Sequence, residues 1–423
     1  MFITMYSLLL SVALVVSAPW WLWRMATTGR YREGLGERLG MVPAAVKAAV
    51  GQGPTVWVHA VSVGEVLAAE RLVHELEAAL PGFVIAISTT TATGNKLARE
   101  RFPACPVFYF PLDFGFAMRA WLGVLRPALV VLVESEFWPR MLVECERGGV
   151  PVAVVNARVS DRSFPRYMRL RWLWTPLLRK VRLFLAQGEE SAARLRAMGA
   201  PTELVQVSGN LKFDLPPMVL TPIAKRLREL RGANRIVVAG STHEGEEQML
   251  LRAWPQLQRG GKDIILVIAP RHPQRFEAVL GMIRGSGAAL GRCSELLRPD
   301  AELAGGTILL LDTLGDLSSV YAAAQVAFVG GSLVPHGGQN PLEAARFGVP
   351  IVMGHSFENF REIVNGMGSI RLIEEPLLGH ALIDGLRNGQ SRGKRGKVFF
   401  IAQAGATRRT VAALKTLLAG KDR

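Results

Sequence analysis

The residues best equipped for chemistry stand at the ends of apolar runs. Glu65 closes the string His59-Ala60-Val61-Ser62-Val63-Gly64-Glu65, which extends the run TVWVHAV. A carboxylate there can take a proton from a substrate hydroxyl, or can complement the dipole of the helix that follows. Glu134 and Glu136 end the run ALVVLVE in Glu134-Ser135-Glu136-Phe137-Trp138-Pro139. On an extended backbone they face opposite ways, so the spacing predicts one carboxylate in a cleft and the other outside it. Lys212, in Ser208-Gly209-Asn210-Leu211-Lys212-Phe213-Asp214, precedes a proline-rich stretch. It can reach a charge held between two domains or lie solvated on the surface.

A second set suits an anion. Residues 328–354 run from an apolar strand through a glycine-rich loop to the helix start Asn340-Pro341-Leu342-Glu343, then to another apolar strand. Asn as N-cap and Pro at the first helical position mark that start. Glycines before a helix let backbone N–H groups approach a ligand, and the helix dipole favours negative charge. The same spacing lets Glu343 close a capping box on Asn340. Arg271 follows the run DIILVIAP, and Leu314-Gly315-Asp316 follows TILLLD at a helix start. An arginine fork fits a phosphate or a base carbonyl, although an exposed loop also explains it. With the hydroxyls of Ser241 and Thr242 these strand ends make a nucleotide-sized polar crescent. The histidines show no HExxH or CxxC spacing, so no metal is expected. No Walker lysine motif or GxGxxG occurs, which argues against P-loop hydrolysis and dinucleotide redox chemistry. GLGERLG, at Gly34, Gly36 and Gly40, has the wrong spacing and no preceding strand.

Such groups need a scaffold whose strand ends point one way. From Thr55 onward TVWVHAV, FVIAIS, VFYFPL, ALVVLVE, VPVAVVNA, LFLAQ and LVQVSG alternate with helical patterns; the rhythm restarts at RIVVAG. This predicts an α/β protein of two Rossmann-like domains, each a parallel sheet wrapped by helices with ligands at the carboxyl ends of the strands. At 423 residues, two domains are also the default by length. Pro216, Pro217 and Pro222 read as the linker, giving an amino-terminal anchor at 1–24, a first domain at 25–215 and a second at 216–423. The three scattered cysteines predict neither a disulfide framework nor a zinc site.

A net charge of +15 and a pI near 10.3 call for an anionic partner. Arg24, Arg30, Arg32 and Arg38 form one cluster. Arg158, Arg162, Arg166, Arg169, Arg171, Arg179, Lys180 and Arg182 form another, interleaved with Phe164, Tyr167, Trp172 and Trp174. Arginine mixed with tryptophan fits an anionic membrane surface better than a base-reading surface, so nucleic acid is not expected; a half-buried amphipathic helix fits equally. Met1 to Trp23 carries no charge and ends in an aromatic belt before Arg24, which predicts a retained transmembrane anchor with the rest of the chain cytoplasmic.

In this order the strings HAVSVGE, STTTATG, ESEFWP, NARVS, SGNLKFD, AGSTHEGEE, APRHPQRF, LLLDTLGDL and GGSLVPHGGQNPLEAARFGVPIVMG resemble the 3-deoxy-D-manno-oct-2-ulosonic acid (Kdo) transferases of lipopolysaccharide assembly, which have the glycosyltransferase B fold. The resemblance covers nearly the whole chain. It implies transfer of Kdo from CMP-Kdo to a lipid A precursor at the cytoplasmic face of the inner membrane, without a cofactor. By resemblance Glu65 is the general base, Glu134 and Lys212 assist the transition state, and Pro270, Arg271, Leu314, Gly315, Asp316, Asn340, Pro341, Leu342 and Glu343 form the CMP pocket. The family commonly has Met-Gly-Glu at Leu314-Gly315-Asp316 and His at Gln339. A transferase of the same fold using a UDP-sugar and a lipid-linked acceptor, or a scaffold binding the lipid A precursor, are the other readings.

Overall fold

The computed structural model describes residues 2–28, 32–215 and 218–420. Arg30, Pro216 and Pro217 lie outside them. The chain forms two compact units, residues 1–214 with 405–423, and residues 215–404.

The first unit holds seven parallel strands: β1 Thr55–His59, β2 Val84–Thr89, β3 Val107–Tyr109, β4 Pro127–Val133, β5 Val152–Ala157, β6 Leu183–Ala186 and β7 Val205–Val207. Their order is β3-β2-β1-β4-β5-β6-β7. All seven runs expected from the sequence are strands. They form because their side chains are apolar on both faces. Trp57, Val130 and Val154 enter one core with Met118, Trp121 and Met141 from the covering helices. Val56, Val58, Val131 and Val155 enter the other, under Leu72 and Leu76 of the helix Val63–Ala79. Burial on both faces is the mark of a parallel sheet.

The helix Ala406–Ala419 belongs to this first unit, and not with residues 216–404 as the linear reading places it. Val411 and Leu414 bury their apolar faces in the core beneath the helix Val63–Ala79. Asp214 accepts from the backbone N–H groups of Gly405 and Thr407, fixing the start of the returning helix. The segment Ile3–Thr27 is long and apolar enough to cross a membrane, and the Tyr6 hydroxyl donates to Asp113 Oδ2 at 3.0 Å.

The second unit repeats the plan with β8 Arg235–Thr242, β9 Ile264–Pro270, β10 Ala289–Arg292, β11 Thr307–Leu310, β12 Val326–Val329, β13 Ile351–Met353 and β14 Arg371–Leu372. Their order is β10-β11-β9-β8-β12-β13-β14, again parallel. The order reverses between β1 and β4 in the first sheet and between β8 and β12 in the second, and open α/β sheets form ligand crevices at such reversals.

Candidate active site

The carboxyl ends of β1 and β4 bring acids together. Glu65 lies in the first turn of the helix Val63–Ala79, with Ser62 as N-cap. Its Oε2 accepts from the Val61 N–H at 2.7 Å, and Ser62 Oγ donates to Oε1 at 3.4 Å. Glu65 is thus tied to its helix start, with 8% of its surface exposed. Burial pushes its carboxyl from 4.5 up to about 8; the Val61 N–H opposes the shift, and the negative charges of Glu134 and Glu136 add to it. A base that titrates near neutral pH is well matched to proton abstraction.

Glu134 has a φ of 63°, a left-handed backbone that a side chain of its size rarely adopts. Strand alternation breaks there, and the charges of both Glu134 and Glu136 act on Glu65. Burial also raises the Glu136 carboxyl, with Glu134 adding to the shift. Ser135 clamps the loop by accepting the Arg158 N–H at 3.1 Å.

Lys212 supplies the positive charge, its Nζ 3.7 Å from Glu134 Oε1. Its short turn is built from both sides. Asn210 Oδ1 accepts the Lys212 N–H at 3.0 Å, and Asn156 Oδ1, on the buried end of β5, accepts the Leu211 N–H at 3.0 Å. Asn156 is itself left-handed, at φ 53°. Glu65, Glu134 and Lys212, read from separate strings, therefore lie in one neighbourhood.

In the second unit Pro270 ends β9 and Arg271 follows it, exposed, its N–H donating to Thr242 O at 2.9 Å. Leu314 is 73% exposed on a turn whose Gly315 has φ 84° and whose Asp316 accepts from Thr313 Oγ1 at 2.6 Å. An apolar side chain held out on such a turn offers a face for a planar base. Asn340 Oδ1 accepts the Leu342 N–H at 3.0 Å, as an N-cap does. The helix it opens is a single turn, Leu342–Ala345, too short for the dipole the sequence leads one to expect. Glu343 turns to Ser318 instead of closing a box on Asn340. Burial raises its carboxyl, while Arg271, the Ser318 hydrogen bond and Arg346 act against the rise. The Leu314 turn and the Asn340 turn are thus joined through Ser318, and Arg271 lies close enough to act on Glu343.

Residues 33–215 match the family described as 3-Deoxy-D-manno-octulosonic-acid transferase (kdotransferase). The 3-deoxy-D-manno-octulosonic acid transferase of Haemophilus influenzae is 32% identical over 92% of both chains. That of Bordetella pertussis is 34% identical over 94% of this chain and 95% of its own. The chain belongs to the Kdo transferase family. It is a glycosyltransferase, and Kdo transfer in lipopolysaccharide biosynthesis is the activity of that family. The calicheamicin glycosyltransferase CalG4 aligns over 86% of this chain and 98% of its own with a TM-score of 0.52 at 15% identity, a likeness of glycosyltransferase B fold alone.

Two residues of this Kdo transferase escape a linear reading. Glu246 is fully buried and accepts from the backbone N–H groups of His243, Gly331, Ser332 and Leu333, which binds the glycine-rich loop after β12 to the end of β8. Glu247, also fully buried, takes a two-pronged ion pair from Arg275, at 2.6 and 3.1 Å, and the Thr242 hydroxyl at 2.8 Å. The string THEGEE looks like a charged helix start. Its only sign of burial is a second carboxylate where the dipole needs one.

Proposed function

We propose that this Kdo transferase moves Kdo from CMP-Kdo onto a sugar hydroxyl of a lipid A precursor (lipid IVA), releasing CMP, with Glu65 as general base. The observation that carries the reading is the buried Glu65 carboxyl beside Glu134, Glu136 and Lys212 at the reversal of the first sheet. Glu65 takes the hydroxyl proton as the acceptor oxygen bonds to the anomeric carbon. The bond from that carbon to the CMP phosphate breaks, and CMP leaves with the electron pair. Glu134 faces the positive charge that develops on the sugar, with Lys212 paired to it. In the second unit Pro270, Arg271, Leu314, Gly315, Asp316, Asn340, Pro341, Leu342 and Glu343 hold the nucleotide, with Arg271 on its phosphate.

The amino-terminal helix anchors the enzyme in the inner membrane, with both units on the cytoplasmic side, consistent with the arginines that follow it. The segment Phe164–Leu178 supports a second membrane contact. Tyr167 and Trp174 pack against Phe137, while Trp172 and Leu170 stand 66% and 45% exposed among Arg166, Arg169 and Arg171. The segment is a half-buried helix pair whose outward face suits anionic headgroups.

Mass spectrometry of products formed from lipid IVA and CMP-Kdo tests the reading. The expected product gains Kdo. Transfer from a UDP-sugar instead, or no sugar transfer by protein that retains the fold, overturns it.

A further inference from the structure

Three histidines from separate parts of the chain meet at the reversal of the second sheet. His243 follows β8, His272 follows β9 and His336 follows β12. The His243 and His336 rings stack at 4.3 Å and 23°, and His272 meets His243 edge-on at 5.6 Å. Stacked rings present faces to one another, so their nitrogens do not converge on a point, and among the described residues no group of His, Cys, Asp or Glu is placed to hold a metal ion. The cluster lies open: His272 and His336 are exposed, His243 is half-buried, and Arg271 stands exposed beside them.

Four ionisable side chains act on His243, namely His336, His272, Glu247 and Arg271, and the exposed Glu244 follows it in the chain. Arg271, His272 and His336 act on it as positive groups. Of the acids, Glu247 faces it but is held by Arg275 and Thr242, and Glu246 is saturated by backbone N–H groups. Arg271 and the three imidazoles gather there while Glu246 and Glu247 are engaged in structure, and an anion completes such a site.

Gln339 gives the site two settings. Its Nε2 lies 3.2 Å from His243 Nε2, so the amide N–H donates to a neutral imidazole. Turned over, the same amide offers its oxygen to the N–H of an imidazolium.

We propose that His243, His272 and His336 form an anion subsite of the donor site, in which His243 takes up a proton when a phosphate or carboxylate docks beside Arg271. This rests on the second unit being the donor site. Burial, then the neighbouring histidines, holds the His243 imidazole below its usual range in the empty site. An anion opposes that depression, and linkage makes the effect reciprocal: the anion raises proton affinity, and the proton raises anion affinity.

The test is titration calorimetry of the full chain near neutral pH, in buffers of different ionisation enthalpy, with CMP, free Kdo and cytidine as probes. CMP brings a phosphate, Kdo a carboxylate and cytidine neither, so the arms identify which anion the subsite takes. The wild type is expected to take up as much as about one proton with an anionic probe, its Kd tightening by up to about tenfold per pH unit lowered. H243Q is expected to lose that uptake. The phosphate's own titration near pH 6 is common to both proteins and cancels in the difference. Equal uptake by wild type and H243Q overturns the proposal, as does equal uptake with cytidine. Should H243Q fail to fold, H336Q tests the same coupling: removing a like charge is expected to move uptake to higher pH, and an unchanged profile counts against the proposal. A UMP arm separates this inference from the donor reading. UMP binding with uptake that H243Q abolishes, where CMP does not bind, defeats CMP as the donor nucleotide and leaves the anion subsite intact.

Discussion

The two units present opposite charge at the same topological position. Where β1 and β4 part, the charges of Glu65, Glu134 and Glu136 act on one another, and Lys212 pairs with Glu134. Where β8 and β12 diverge, His243, His272, His336 and Arg271 gather, and the nearby Glu246 and Glu247 are engaged in structure. The fold decides where a crevice opens, while the side chains on its loops decide the sign of the field there. Group transfer calls for both signs: a base for the incoming hydroxyl, and positive charge for the departing phosphate.

The sharpest way to break this contrast is to remove the base. Glu65→Ala is expected to lower kcat by about 10²–10⁴-fold, the usual loss on removing a general base, with CMP affinity unchanged by calorimetry. A parallel loss of CMP binding would erase the separation of roles. The mirror experiment is Arg271→Ala. Losing a charge-assisted hydrogen bond worth about 1.5–3 kcal/mol weakens CMP by roughly ten- to a hundredfold. Rate at saturating donor should fall less than affinity, and the reverse ranking would move Arg271 into the chemical step.

A smaller effect is the pH dependence of the acidic crevice. With its carboxyl raised from 4.5 to about 8, Glu65 is mostly protonated at neutral pH, so transfer should rise with pH and level off above about 8. The stability sign is opposite. A raised carboxyl contributes stability that is fully present below 4.5 and lost as pH rises through about 8. Glu65→Gln stays neutral throughout, so its thermal midpoint should exceed that of the wild type on the alkaline side while transfer is lost. Coincident midpoints above pH 8 would place Glu65 in a more solvated setting.

Strand ends were legible because most apolar runs stop near the residue where burial stops. That sufficed for all of β1 to β7, and it singled out Glu65, Glu134 and Lys212, which the fold brings into one neighbourhood. In the second unit β10 and β14 escaped, being the two edge strands, short and weakly apolar. The return of the helix Ala406–Ala419 to the first unit escaped as well, because its apolar face fits any sheet. Only the three-dimensional meeting of Asp214 with Gly405 and Thr407 settles its place. The histidine cluster was illegible for a similar reason: His243, His272 and His336 share no spacing, and only strand order brings their loops together.

Glu134 gives the finest comparison: each crevice holds a left-handed residue, Ser241 at φ 52° in the basic one and Glu134 in the acidic one, and Glu134 also carries charge. At φ 63° a glycine fits without steric cost, whereas a residue with a Cβ gives up about 1–2 kcal/mol. Glycine also frees the unfolded chain, which returns about 0.4–1 kcal/mol of that gain. It removes one negative charge beside Glu65 and Glu136, which favours the folded state further, and the ion pair to Lys212, which opposes it. The exposed, 3.7 Å geometry of that pair makes it the weaker contribution. Glu134→Gly should therefore raise stability by up to about 1.5 kcal/mol in denaturant titration while lowering transfer. Glu134→Ala, which keeps the strain and loses the same charge, separates the two causes. If the glycine variant is instead less stable than Glu134→Ala by about 0.4–1 kcal/mol, the difference that glycine's freedom in the unfolded chain makes by itself, the left-handed backbone costs the enzyme nothing.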